Sequence, residues 1–484
     1  MKKTFKNSIY LFLAAALATG SITSCSDQLD LKPISNTTVG GSGQGTSGSA
    51  ITDSSSAETA LASAYSFFKT DGGEYYVLDL YNIGDSQSDN AYVGADNVAG
   101  FEWDEYRVTA TNSWVARDWS YLYRHVARCN NVISRVPNIT MDQTRKNQIL
   151  AEAKTIRARA YFDLVRLFGD VPLIIDETPA VTLENLSKLY PARTPASQVY
   201  TQILKDLTEA ETANLPQQAN KQFVSNGAVC TMLAKVYATQ GNWAKVNEYT
   251  DKVISQGYSL VSTFDHLWDG AHENSSEAIW ELNFEDWSTG GNWGVGMFTG
   301  TDWKRFCNPS NDMIKAYIDE QDSVRSKSTI TYIDNVHWVD KYLSVAHFPF
   351  FNKMRVQPTA NTILYRLADV LLLKAEAQNE LGNTSVAATY VDQVRSRAKL
   401  NPTTATTQSD MRLAIEKERR LELAFEGHRW FDLIRTGRAI PVMQAVKDGN
   451  GNSLNYVINQ NKLVWPIPQN ERDKNANLTQ NAGY

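Results

Sequence analysis

Cysteine and histidine are scarce in this chain, four and six among 484 residues. Once Cys25 is set aside, Cys129, Cys230 and Cys307 are odd in number and far apart, so neither a disulfide framework nor a zinc ribbon is encoded. His125, His266, His272, His337, His347 and His428 form no HExxH string and no zinc pair, and no P-loop or G-x-S-x-G elbow occurs. Concentrated charge of one sign is also missing. The 47 basic and 53 acidic residues leave a net charge of −6 with no basic block, so nucleic acid is not an expected partner. Beyond residue 18 no apolar run approaches the ~20 residues of a membrane-spanning helix. Glycoside hydrolysis needs only two carboxylates and survives these exclusions, as does a binding or scaffold role.

The first segment with a clear pattern is N-terminal. Lys2, Lys3 and Lys6 precede an apolar run over 9–18, and small residues lead into Cys25. This reads as an export signal over 1–24, too short to span a membrane. The order Ile22, Thr23, Ser24, Cys25 suits lipoprotein processing, in which the Cys25 thiol is acylated and several chains anchor the protein in lipid. Residues 25–56 then form a tether. Their GGSGQGTSGS stretch has the composition of a flexible linker.

From residue 57 the chain is mainly helical. Apolar residues recur with a 3.6 period over 57–69, 113–136, 141–168, 195–213, 223–241 and 244–256, and again over 362–381, 385–398 and 410–435. A self-similarity runs through it: Ala234, Gly241-Asn242, Tyr249, Asp251 and Val253 recur as Ala375, Gly382-Asn383, Tyr390, Asp392 and Val394. A small residue, a Gly-Asn turn and an aromatic on the second helix describe a tetratricopeptide hairpin. The units are dispersed rather than tandem. A second echo sets Phe162-Asp163-Leu164-Val165-Arg166 beside Phe431-Asp432-Leu433-Ile434-Arg435. Two inserts read as non-helical, 71–111 and 259–360. The second holds six of the 12 tryptophans and one alternating, strand-like stretch over 278–284.

Four segments together resemble the SusD/RagB family. They are Cys25 with Asp30-Leu31-Lys32-Pro33, AEAKTIRARAYFDLVRLFGDVP from Ala151, EKERRLELAFEGHRWFDLIR from Glu416, and Trp465-Pro466-Ile467-Pro468 with the closing Gln480–Tyr484 stretch. Ala482 stands where the family carries proline. The resemblance implies a single domain over 57–484, with a tetratricopeptide-like scaffold in 113–258 and 361–484 and a loop-rich lid containing short strands. It further implies an outer-membrane lipoprotein that faces the cell exterior and passes glycans, or in some branches peptides, to a SusC-like TonB-dependent transporter. No enzymatic activity and no cofactor are expected. Glu416, Glu418, Glu422 and Glu426 alternate with Arg419, Arg420 and Arg429 at helical spacing, which reads as ion pairing rather than poised acid–base chemistry.

Sugars offer flat C–H faces and a rim of hydroxyls, which aromatic rings and Asp, Asn or Arg side chains satisfy. The candidates in the first insert are Asp85, Asp89 and Asn90, followed by Trp103. In the second they are Trp287 and Trp293 among glycines, then Trp303 and Arg355. The plainer alternatives are core packing for the tryptophans, and a capped turn or a calcium loop for the Asp85–Asn90 cluster.

Overall fold

The computed structural model describes residues 51–69, 74–95, 97–177, 186–298, 305–357 and 359–484. Cys25, most of the tether and Trp303 lie outside the described residues.

The N-terminal half of the scaffold consists of α1 (Ser54–Ser66), α2 (Val98–Asp104), α3 (Ser113–Arg135), α4 (Gln143–Phe168), α5 (Ala196–Glu211), α6 (Asn226–Thr239) and α7 (Trp243–Ile254). Polar caps start them. The Asn112 side chain accepts from the amides of Trp114 and Val115, Asp142 from Arg145 and Ser225 from Ala228. α4 runs through the centre. Its Ala151, Ala153, Ala158 and Ala160 are buried, which lets α3 and α5 close on either side. α6 packs on α5, and Cys129 and Cys230 are buried free thiols inside this stack.

The C-terminal half is α10 (Leu367–Glu380), α11 (Thr384–Arg397), α12 (Gln408–Glu422) and α13 (Arg429–Arg435), with α8 (Asn311–Asp319) and α9 (Ser323–Thr329) contributed by the second insert. The repeated motif forms two matching hairpins, α6–α7 and α10–α11. Gly241 and Gly382 take φ of 70° and 85° at the turns, while Ala234 and Ala375 are fully buried where the helices meet. The hairpins pack through α7 and α10. There Lys374 Nζ donates to Asn247 Oδ1 at 2.6 Å and pairs with Asp251 at 2.6 Å. The second echo also makes contact with itself. The Arg166 guanidinium lies 4.0 Å from the Phe162 ring centroid and 3.9 Å from that of Phe431.

Three short antiparallel pairs complete the architecture. β1 (Ala91–Tyr92) pairs with β3 (Asn308–Pro309), β2 (Ala278–Leu282) with β6 (Thr362–Arg366), and β4 (Ile330–Asp334) with β5 (His347–Phe351). The strand expected over 278–284 is therefore present, two residues shorter.

Four expectations need correction. The second insert is not non-helical throughout, since α8 and α9 lie within it. The first insert is not loop throughout: Tyr75–Asp79 and Asn82–Ser86 are π-helical turns, and α2 follows them. All of 75–92 is buried, so no one-sided apolar stripe marks it as helical. The helix expected over 362–381 begins as β6 and turns helical at Leu367. The helix expected over 410–435 breaks after Glu422, because Phe425 and Gly427 take φ of 59° and 75°. Asp85 stabilises that break. Its carboxylate accepts the amides of Phe425 at 2.9 Å and Gly427 at 3.0 Å.

Candidate functional site

The Asp85–Asn90 turn faces inward. Asp85 and Asn90 are fully buried and bonded to each other, Asn90 Nδ2 donating to Asp85 Oδ1 at 2.8 Å. Burial pushes the Asp85 carboxyl up to about 6 against the amides that stabilise its anion. Asp89 is gripped by Arg429 Nε at 2.7 Å and Nη2 at 2.8 Å, and by Arg420 Nε at 3.2 Å. Burial would raise its carboxyl, but Arg420 and Arg429 outweigh that and hold it at about 2. Arg420 Nε also donates to Asn90 Oδ1 at 3.0 Å. Trp103 is completely buried, stacked on Trp465 with centroids 5.5 Å and planes 8° apart. The expectation that Asp85, Asp89, Asn90 and Trp103 contact ligand is thus corrected. They join the first insert to the C-terminal scaffold, and the oxygens a calcium loop would offer are taken by amides and guanidiniums.

The second insert is divided. Trp287 is 53% exposed at the tip of a loop. Trp293, by contrast, packs in the seam between two apolar clusters. Its neighbour Gly294 has no room for a Cβ, which would stand 2.5 Å from a Val77 methyl, and buried Asn292 donates to Ala360 O at 2.7 Å. That anchoring opposes the projection expected for Trp293. The Arg355 guanidinium is committed to Asp265, which it meets at 3.0 Å through Nη1 and again through Nη2.

The acids after Glu416 are ion-paired as expected, but with cations of other elements rather than with the arginines at helical spacing. Fully buried Glu422 meets Arg366 at 2.5 Å and Arg325 at 3.0 Å, with Arg397 beside them. Glu426 accepts from Lys353 at 2.6 Å and Arg366 at 2.7 Å, and Glu418 from Arg325 at 2.6 Å. Arg419 in turn meets Asp369 at 2.8 Å and Asp432 at 2.9 Å. Each charge is met by one from another element, which neutralises the carboxylates and leaves none poised as a general acid.

An aromatic cleft lies elsewhere. It has a volume of about 700 Å³ and is walled by 105–110, 341–342, 454–457 with Asn459 and Lys462, and Gly483–Tyr484. Tyr342, Tyr456 and Tyr484 are half-buried in it. Tyr342 packs on buried Tyr92 at 4.7 Å, and Tyr456 meets the edge of buried Tyr106 at 5.3 Å. Tyr456 Oη donates to Asp104 Oδ1 at 3.4 Å, and Tyr484 Oη to Val464 O at 2.8 Å. Burial holds both phenols well above their ordinary range, so they keep their protons. Lys341 Nζ stands 4.7 Å from the Tyr342 centroid and Lys462 Nζ 4.2 Å from that of Tyr484. Glu105, Arg107, Asn455 and Asn459 complete the polar rim. Rings, phenol hydroxyls, amides and cations alternate along one open surface, which suits a ligand with flat apolar faces and many hydroxyls. Sequence reasoning missed these tyrosines, which share no local signal: the residues before them are Lys341, Asn455 and Gly483.

Comparison with known proteins places the chain. The profile described as the SusD family matches residues 297–484, and that described as "Starch-binding associating with outer membrane" matches 49–238. A SusD-like protein P38 of Formosa agariphila is 27% identical over 100% of both chains. The starch-binding protein SusD of Bacteroides thetaiotaomicron is 22% identical, again over 100% of each. Among solved structures, a laminarin-binding SusD-like protein is 26% identical and superimposes with a TM-score of 0.74, covering 90% of this chain and 100% of its own. With two profiles on its two halves, relatives along its full length and that shared helical architecture, the chain belongs to the SusD/RagB family.

Proposed function

We propose that this protein is a cell-surface glycan receptor, anchored in the outer membrane through acylated Cys25 and delivering oligo- or polysaccharide to a SusC-like TonB-dependent transporter. The observation that carries the reading is the cleft of Tyr342, Tyr456 and Tyr484, whose ring faces and polar rim match the two surfaces of a sugar. The 26% identical relative that binds laminarin supports a glycan over a peptide. Neutralisation of Glu418, Glu422 and Glu426 supports capture without hydrolysis. Exposed Trp287 offers a second, isolated stacking surface on the lid.

Calorimetric titration with laminarin and starch oligosaccharides tests this reading. Tyr342→Ala and Tyr456→Ala should each weaken binding about five- to hundredfold, the loss of roughly 1–3 kcal/mol expected for a stacked ring. Unchanged affinity in both variants places the sugar elsewhere. Binding of peptides with no response to any glycan favours the peptide-receptor alternative.

A further inference from the structure

The sequence shows no zinc pair, yet the fold brings two histidines face to face. Segment 264–272 is pinned by Phe264, Leu267 and Trp268, which are buried together against Ile363. His266, Asp269 and His272 alternate with these anchors and remain accessible. The two imidazoles lie parallel, with centroids 3.8 Å and planes 10° apart. Asp269 is fixed beside His272. Its Oδ1 accepts the amides of Ala271 at 2.9 Å and His272 at 3.2 Å, and its Oδ2 lies 2.8 Å from His272 Nδ1. The turn is held from outside as well. Gly270 has φ of +69°, and a Cβ there would stand 1.6 Å from the Gln357 amide.

One donor atom from each of His266, Asp269 and His272 lies within 4.8 Å of the other two. Two imidazole nitrogens and one carboxylate oxygen suit borderline divalent cations, whereas calcium and magnesium take oxygen donors. We infer that His266, Asp269 and His272 bind one zinc-class divalent cation, the two accessible rings turning out of their parallel stack so that both in-plane lone pairs converge on it, and leaving a coordination position for water. The bound cation clamps the 264–272 turn. None of its ligands lines the tyrosine cleft, so the site stands whether or not that cleft binds sugar.

The test is calorimetric titration of tag-free, full-length, detergent-solubilised protein with zinc chloride and, separately, calcium chloride. One zinc ion per chain is expected, undisturbed by excess calcium, with a melting temperature that rises with zinc concentration. His266→Ala, His272→Ala and Asp269→Asn should each lower zinc affinity at least about tenfold while melting like wild type in chelator. His347→Ala, another exposed histidine bonded to a carboxylate (Asp334, 2.6 Å), should bind zinc as wild type does. Absence of zinc binding below about 1 mM, which corresponds to only about −4 kcal/mol, overturns the inference. So does wild-type affinity in His272→Ala, or an equal loss in His347→Ala.

Discussion

Glu422→Gln removes one charge from the centre of the buried network. The Glu422 side chain is fully enclosed, and Arg366, Arg325 and Arg397 all reach it. Burial works to raise its carboxyl, but Arg397, Arg366 and Arg325 together hold it far below the ordinary range, so it folds as an anion. An amide keeps the shape and cancels the charge. The three guanidiniums lose the one carboxylate common to them all and are left with Glu277, Glu418, Glu426 and Asp322, of which Glu426 also serves Lys353 and Glu418 also serves Arg395. Breaking a buried pair from one side costs about 3–5 kcal/mol. Unfolding entropy of about 2.1 cal/mol/K per residue over roughly 430 folded residues gives about 0.9 kcal/mol/K, so the melting temperature should fall by about 3–6 °C. Glu416→Gln on the same helix is the control. Glu416 is 20% exposed and meets Arg429 at 3.3 Å and Arg438 at 2.9 Å, so its loss should cost about 1 kcal/mol and about 1 °C. Scanning calorimetry on both variants, with glycan titration on whatever folds, reads the difference. A Glu422→Gln protein melting within about 1 °C of wild type, or a Glu416→Gln protein melting as early, refutes the reasoning.

Trp103→Ala should cost about 3–5 kcal/mol by emptying the stack against Trp465, whereas Trp287→Ala should stay within about 0.5 kcal/mol; urea melts of the pair check this, and equal costs contradict the placement. His125 is buried as the neutral ring, its Nε2 donating to Ala64 O at 2.9 Å, and burial pushes it down to about 3. The unfolded chain therefore gains a proton near pH 6.5 that the folded chain refuses until about pH 3, and stability falls as pH falls through that window, by on the order of 4 kcal/mol. His125→Gln keeps a donor without titrating, so its urea midpoint should decline less between pH 7 and pH 4 than that of wild type; parallel declines count against the argument. Cys25→Ser should move the protein from the membrane to the soluble fraction or leave it unprocessed, and a fully membrane-bound Cys25→Ser protein removes the case for acylation.

The helices were legible because an amphipathic stripe is a local property. α3, α5 and α7 begin and end within two residues of their sequence-derived limits, each stripe lying against a neighbour it needs to cover. The misreadings all involve partners far away in sequence. The polar Asp85–Asn90 turn resembles a ligand loop until Arg420 and Arg429, more than 300 residues on, are set against it. Trp103 looks free until Trp465 covers it. The break after Glu422 has no glycine or proline at its first residue, and it exists because Asp85 accepts the two amides that a continuous helix would have bonded internally. The tyrosine cleft is assembled from four short stretches, none of which is patterned enough alone to announce a site.

The same contrast explains why the family could be read from the sequence while the ligand could not. In the stretch from Glu416 to Arg435, buried charges are each tied to an opposite charge on another element: Glu422 to Arg325, Arg366 and Arg397, Arg419 to Asp369, and Arg429 to Asp89. Changing either end strands a charge in the interior, so these positions tolerate few residue types. Tyr342, Tyr456 and Tyr484 are only half-buried, and one face of the cleft is open to solvent. An exchange there strands no buried charge, so it costs folding less than a change in the ion-paired stretch. The recognisable string therefore marks the buried frame, and the open cleft proposed as the binding surface lies outside it.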